Sequence, residues 1–176
     1  MRETSCLNKT LMLKINFKKI ISNFIIVGLI FLLDRLSKIY ILKVAELENT
    51  VDIYITSYLN LFLIWNKGIA FGLLSFEENF VYKIITGIII FVTIIIFVMI
   101  IKNDGLRRYS LLVIFGGSIS NLFDRIYYSA VPDFIDIHIN NYHWFVFNIA
   151  DIFITLGVIC LIYVEIFDNK SEKIIT

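Results

Sequence analysis

The chain has 176 residues, of which 59% are hydrophobic, and a formal net charge of +1. This apolar content exceeds the ~45–50% typical of soluble proteins, and it lies in long runs that indicate a membrane protein. The near-neutral charge, without a long tract of lysine and arginine, argues against a nucleic-acid partner. The two cysteines, Cys6 and Cys160, do not form a disulfide framework. We therefore expect one membrane-embedded domain over residues 1–176.

The first apolar segment predicts a transmembrane helix over about residues 20–41. It follows a basic stretch, 1–19, which is typical of a cytoplasmic tail, and it lacks the small-residue pattern of a cleaved signal peptide. Asp34 and Lys38 lie four residues apart near its end, so they share one helix face and can pair. The simplest interpretation is an ion pair whose ends snorkel to the outer membrane interface.

The longest polar connection, 43–79, predicts a small β region outside the cytoplasm. Its segment 51–66 is rich in β-branched and aromatic residues, and a turn signal follows at 66–68. We expect one or two short strands that lie on the membrane surface.

Three further spans are predicted, over about residues 82–101, 109–125 and 146–167. The second contains a charge-free run, 84–101, which is about 27 Å long as a helix and close to the hydrocarbon thickness. The third carries small residues that allow close helix contact in a bilayer, namely Gly116, Gly117, Ser118 and Ser120. The fold class is thus membrane α-helical, with four spans and a small β element.

The distribution of basic residues predicts the orientation. Five lysines and arginines lie in the N-terminal stretch, three in the loop 102–108 and two in the C-terminal tail. The positive-inside rule therefore places both termini in the cytoplasm and the stretch 116–151 at the outer face. That stretch holds acids, an arginine and both histidines close to hydrocarbon, where charge is costly, so it is the expected functional site.

Asp133 and Asp151 are the candidate catalytic residues. Asp133 is predicted in a loop after the third span and Asp151 in the first turn of the fourth. Two carboxyls in contact share a proton, so one can take a proton from water while the other donates to a scissile carbonyl. The alternative is that Asn148 and Asp151 only cap the fourth helix, and the two roles can coexist.

Two other groups have open interpretations. Asp124 and Arg125 form either a structural ion pair or a clamp for a substrate headgroup, because the arginine fork suits phosphate. His138 and His143 lie near Asp133 and Asp136 and suggest a metal site, but their spacing of five is not a helical pair and no third ligand is evident. Two interfacial histidines without a metal are the simpler hypothesis.

Five motifs occur in order and together resemble lipoprotein signal peptidase (signal peptidase II), a bacterial aspartic peptidase family. They are DRLSK at 34–38, NKGIAF at 66–71, GGSISNLFDR at 116–125, VPDFID at 131–136 and FNIAD at 147–151. The resemblance covers about residues 20–167.

The resemblance implies that Asp133 and Asp151 are the catalytic dyad of an endopeptidase. It implies that the substrate and dyad are positioned by Asn66, Asn121, Arg125 and Asn148, with Asp34 and Lys38 as the first-helix pair. The implied substrate is a prolipoprotein whose lipobox cysteine already carries diacylglycerol, cleaved just before that cysteine. The implied mechanism uses no metal, cofactor or covalent intermediate.

The resemblance also implies a location in the bacterial inner membrane, in contact with lipid, with four helices, both termini inside and a small extracytoplasmic β element. We expect a monomer. Ser120 departs from the family pattern, because glycine is more usual before the asparagine, and this puts the closest helix contact in question.

Two other classes compete with the peptidase. A small ion or proton translocator would also place charges within the membrane, but here they cluster at one face and the second span offers no relay. A membrane scaffold without catalysis would not require two acids at fixed places.

Overall fold

The computed structural model describes residues 2–68, 78–139 and 142–172. The four helices are α1 (Arg2–Glu48), α2 (Glu78–Lys102), α3 (Gly105–Tyr128) and α4 (Ile149–Glu172). The four strands are β1 (Asp52–Thr56), β2 (Leu59–Asn66), β3 (Val131–Ile139) and β4 (Tyr142–Phe147). The helices extend beyond the predicted spans, and α1 includes most of the basic N-terminal stretch.

Helix α3 is the central helix, and it packs against α1, α2 and α4. Its small residues permit this contact, as the sequence predicted. A Cβ atom added to Gly117 would lie 2.6 Å from the carbonyl oxygen of Ala150 on α4, and one added to Gly116 would lie 3.1 Å from Ile30 on α1. The backbones of α3 and α4 are therefore close at the point where α4 begins.

Two helices of the described chain are long and apolar enough to cross a bilayer, over Phe80–Lys102 and Ile149–Phe167. Only 11% of the first span and 17% of the second are buried inside the protein. Large apolar side chains such as Ile88, Phe91 and Ile94 face outward. An apolar surface of this extent requires a covering, which a membrane supplies.

The strands form one antiparallel sheet in the order β1-β2-β3-β4. The predicted β segment, 51–66, forms β1 and β2. The predicted loop position of Asp133 is wrong, because this residue lies near the start of β3. The alternation of Ile135, Ile137 and Ile139 with Asp136 and His138 is a strand pattern that could have revealed this.

The sheet packs against the end of α1 through a small apolar core of Ile41, Val51 and Phe134. Helix α1 ends before Asn49, which adopts the left-handed conformation (φ 61°) that favours asparagine or glycine after a helix. Strand β3 follows α3 after two residues, and β4 leads into α4 through Asn148. The sheet therefore brings Asp133 to the end of the bundle where α4 begins.

Candidate active site

Asp133 is buried on β3 and accepts two amide hydrogen bonds. Its Oδ2 accepts from Asn66 Nδ2 at 2.8 Å and its Oδ1 from Asn148 Nδ2 at 2.6 Å. Burial raises the pKa of this carboxyl to about 6, although the two amide donors oppose the shift and the nearby Asp151 adds to it. Asp133 can therefore gain or lose a proton near neutral pH.

Asp151 lies in the first turn of α4 and joins the same hydrogen-bond network. Its Oδ1 accepts from Asn121 Nδ2 at 2.8 Å, and its Oδ2 accepts from the backbone N–H of Asn148 at 3.1 Å. The Asp151 N–H in turn donates to Asn148 Oδ1 at 3.1 Å. This reciprocal pair is a capping box with asparagine as the N-cap. One carboxyl oxygen of Asp151 thus caps α4, and the other accepts a hydrogen bond from the Asn121 side chain on α3.

Three asparagines donate hydrogen bonds from their side-chain NH₂ groups to the two carboxyls. In each asparagine, a donor bound to the side-chain carbonyl oxygen determines which way the amide points. The carbonyl oxygen of Asn66 accepts from the Gly68 N–H at 2.7 Å, and that of Asn148 accepts from Asp151 N–H. The carbonyl oxygen of Asn121 accepts from Lys38 Nζ at 2.9 Å. Each of these partners can only donate, so each NH₂ group must point the other way.

A buried ionic cluster of two acids and two bases lies next to these carboxyls and is connected to Asp151 through Asn121. Lys38 Nζ lies 2.7 Å from Asp34 Oδ2 and 2.6 Å from Asp124 Oδ2, and Arg35 lies 2.6 Å from Asp124 Oδ1. The predicted pairing of Asp34 with Lys38 is present, but snorkelling is wrong, because both side chains are fully buried. The role of Arg35 and the contact of Asp124 with α1 were not predicted.

Asp34 also connects three helices. Its Oδ1 accepts from the backbone N–H of Ala150 at 2.9 Å, which satisfies a donor in the first turn of α4. Its Oδ2 accepts from Ser120 Oγ at 2.6 Å. The serine that replaces the expected glycine is fully buried and fits its position.

Arg125 lies near Gly68, which follows β2, and contacts Tyr82 on α2. A Cβ atom on Gly68 would lie 3.3 Å from Arg125 Nη1, and Gly68 has a φ of +80°, so both space and conformation favour glycine there. The Tyr82 hydroxyl donates to the Arg125 carbonyl at 2.6 Å. Arg125 Nη1 is buried and has no hydrogen-bond partner among the described residues.

A groove between α2, α3 and α4 begins beside Asp151. Its polar end is lined by Asn121, Arg125 and Asp151, and its apolar walls by residues of α2 and α4 that include Ile88, Val92 and Ile154. The second half of the motif NKGIAF falls at 69–71, outside the described residues.

The comparison with known families identifies the chain. Signal peptidase (SPase) II matches residues 26–167. The chain belongs to the signal peptidase II family. This confirms the resemblance found in the motifs and the prediction of a peptidase, and the aspartic type agrees with the family.

Individual relatives agree with this assignment. The chain is 55% identical over 159 residues to a lipoprotein signal peptidase of Pelagibacter ubique, which covers 90% of this chain and 96% of that protein. It is 40% identical over 151 residues to a lipoprotein signal peptidase of Anaplasma phagocytophilum, covering 85% and 94%. The alternative of an ion translocator is not favoured.

Solved structures show the same fold. Two structures described as bacterial membrane enzymes align with TM-scores of 0.64 and 0.63. The first is 22% identical and covers 85% of this chain and 90% of its own; the second is 27% identical and covers 84% and 94%.

Proposed function

We propose that this chain is an aspartic endopeptidase that removes the signal peptide from diacylglyceryl-modified prolipoproteins, with Asp133 and Asp151 as its catalytic pair. The observation that carries the proposal is that Asn148 bridges both carboxyls, through its side chain to Asp133 and its backbone N–H to Asp151. A helix cap requires only the bonds between Asn148 and Asp151. The additional bond to Asp133 on β3 has no role in capping, so it favours a paired function for the two acids.

The proposed reaction is acid–base hydrolysis by a pair that holds one proton. The ionised carboxyl takes a proton from a water molecule, whose oxygen attacks the scissile carbonyl, while the protonated carboxyl gives its proton to the carbonyl oxygen. The carboxyl that took the proton from water then gives it to the nitrogen of the leaving amine, while the other carboxylate takes a hydroxyl proton from the tetrahedral intermediate. The C–N bond breaks, and the pair again holds one proton. The amide donors from Asn66, Asn121 and Asn148 hold both carboxyls in place throughout.

The groove supports a substrate that is both a peptide and a lipid. Its walls of Ile88, Val92 and Ile154 suit an apolar signal segment or acyl chains. Arg125 at its polar end has an N–H group available for a carbonyl or ester oxygen. Cleavage just before a lipid-modified cysteine requires both features at one end of the bundle.

We propose further that all four helices span the bacterial inner membrane as one monomeric domain, with both termini in the cytoplasm and the dyad at the outer face. The buried ionic cluster supports spans by α1 and α3, because Asp34 and Asp124 pair with Arg35 and Lys38 inside the bundle, away from lipid. Reporter fusions at Glu77 and at the C-terminus should report opposite sides; fusions reporting the same side would overturn this orientation.

The dyad is tested by two substitutions that keep size but remove the ionisable group. Asp133→Asn and Asp151→Asn should each nearly abolish cleavage of a diacylated prolipoprotein, and the double variant should cost little more, because residues that act as a unit are not additive. Asp52→Asn, an exposed aspartate on β1, is the matched control and should cleave normally. The measurement is the initial rate after reconstitution at equal protein levels.

The helix-cap alternative predicts a different result. Asparagine caps helices well, so a purely structural Asp151 would leave Asp151→Asn active. Substantial cleavage by that variant would remove Asp151 from the dyad.

A further inference from the structure

The hairpin of β3 and β4 carries a cluster of potential metal ligands outside the dyad. Ligand atoms of Asp136, His138 and His143 all lie within 4.8 Å of one another. His138 and His143 are opposite each other across the two strands, and these are the only histidines in the chain. The sequence hypothesis of a histidine metal site lacked a third ligand, and Asp136 fills that place.

Two of the three side chains are buried with unsatisfied polar atoms. Asp136 is 1% and His138 7% exposed, and Asp136 Oδ1 and His138 Nδ1 lack hydrogen-bond partners among the described residues. Asn60, paired with Asp136 across β2 and β3, likewise has an unsatisfied Oδ1. Burying such groups without a partner is costly, and a cation or a hydrogen-bond donor at the hairpin would satisfy them.

The distances suit a metal ion after a small adjustment. With metal–ligand bonds of about 2.0–2.1 Å, neighbouring ligands in a tetrahedral site lie about 3.3 Å apart. Asp136 Oδ2 lies 3.5 Å from His138 Nδ1 and 2.7 Å from His143 Nδ1. The second distance must open slightly, and His143 can move because its side chain is 59% exposed.

We propose that Asp136, His138 and His143 bind one divalent transition-metal ion, of which Zn²⁺ is the best match. Imidazole and carboxylate together suit Zn²⁺ and its neighbours in the first transition row, whereas Ca²⁺ and Mg²⁺ prefer oxygen ligands alone. Three protein ligands leave a fourth position for water, and two of them, Asp136 and His143, line a pocket together with Asp52, Asn60 and Phe62.

The ion clamps β3 to β4 and takes no part in hydrolysis. Asp133 lies three residues before Asp136 on β3, and Asn148 directly follows β4, so the clamp joins the two strands that hold the dyad. The ligands belong to the hairpin and the dyad does not contact them in the hydrogen bonds described above. A test of this metal site is therefore independent of a test of the proposed peptidase activity.

The test uses the full chain in detergent micelles, without a histidine tag and with Cys6 and Cys160 replaced by serine to remove thiol binding. After treatment with chelator and dialysis, titration with Zn²⁺ at pH 7.5 is followed by calorimetry, and Co²⁺ serves as a spectroscopic probe of four-coordination. We expect one ion per chain and an increase in the thermal unfolding midpoint with Zn²⁺, because the ion binds the folded state.

His143→Ala is the informative variant because its exposed side chain is not needed for folding. It should weaken Zn²⁺ binding at least about tenfold and remove the increase in unfolding midpoint, while Ile137→Val on the same strand should retain both. Absence of saturable binding, or a Zn²⁺ affinity in the His138→Ala or His143→Ala protein equal to that of the parent protein, would overturn the site and leave a simple Asp136–His143 hydrogen bond. Complete loss of cleavage on chelation, without any change in the unfolding midpoint, would contradict the structural role of the ion.

Discussion

Replacement of Lys38 by methionine tests how the buried ionic cluster supports the dyad. Methionine has a similar length but no charge, and Lys38 is fully buried. Its Nζ contacts Asp34 and Asp124 and donates to the Asn121 carbonyl. The substitution therefore removes two ion pairs and the group that orients one amide of the active site.

The stability cost follows from the charge balance. Asp34 and Asp124 are balanced by Arg35 and Lys38, so Lys38→Met leaves one buried negative charge without a counterion. Breaking a buried pair in this way costs ~3–5 kcal/mol. The double variant Lys38→Met/Asp124→Asn restores neutrality, so it should be destabilised by at least ~1 kcal/mol less than the sum of its single variants.

The effect on cleavage follows from Asn121. Without Lys38 its carbonyl has lost its donor, and the amide is no longer forced to point its NH₂ group at Asp151. Losing one hydrogen bond to a charged group costs ~1.5–3 kcal/mol, which corresponds to a loss in rate of ~10–100-fold. The double variant should recover stability but not this rate, because it does not restore the donor.

The assays are the free energy of unfolding in mixed micelles and the initial rate on a diacylated prolipoprotein. Lys43→Met, an exposed lysine further along α1, is the matched control and should change stability by less than ~0.5 kcal/mol. If Lys38→Met were as stable and active as the control, the cluster would not support the dyad. Full recovery of the rate in the double variant would refute the role of Lys38 in orienting Asn121.

Three further predictions concern single positions. Because the folded-state pKa of Asp133 is about 6 against an ordinary 3.8, the folded chain binds this proton more tightly. The free energy of unfolding should therefore fall by up to ~3 kcal/mol as the pH rises from 3.8 to 6. If the Asp133→Asn protein shows the same fall, the pH dependence belongs to other groups. Gly117→Ala places a Cβ against the Ala150 carbonyl and should destabilise the protein by ~1–3 kcal/mol. The control Gly87→Ala, whose added Cβ would have nothing within 4 Å, should not destabilise it. Equal thermal unfolding midpoints for the two variants would disprove close α3–α4 packing. Arg125→Lys should reduce cleavage in a folded protein because lysine lacks the fork, and normal turnover would remove this residue from the substrate site.

Much of the fold is encoded in local patterns. The charge-free run at 84–101 is too long for a strand and appears within α2. The β-branched segment 51–66 forms β1 and β2, and the small residues of α3 allow close packing. Asn148 and Asp151 carry the signature of a capping box, and the structure contains one.

The tertiary structure decided which side chains meet. Asp124 precedes Arg125 in sequence, yet it pairs with Arg35 and Lys38, more than 80 residues away, because α3 turns its acid toward α1. Lys38 does not snorkel for the same reason, since two carboxylates surround it within the bundle. The periodicity and composition of a segment indicate which face of a helix or strand is apolar, but they do not indicate which other element packs against that face. The amide orientations around Asp133 and Asp151 form only when the sheet has packed against the helices. These amides belong to Asn66, Asn121 and Asn148.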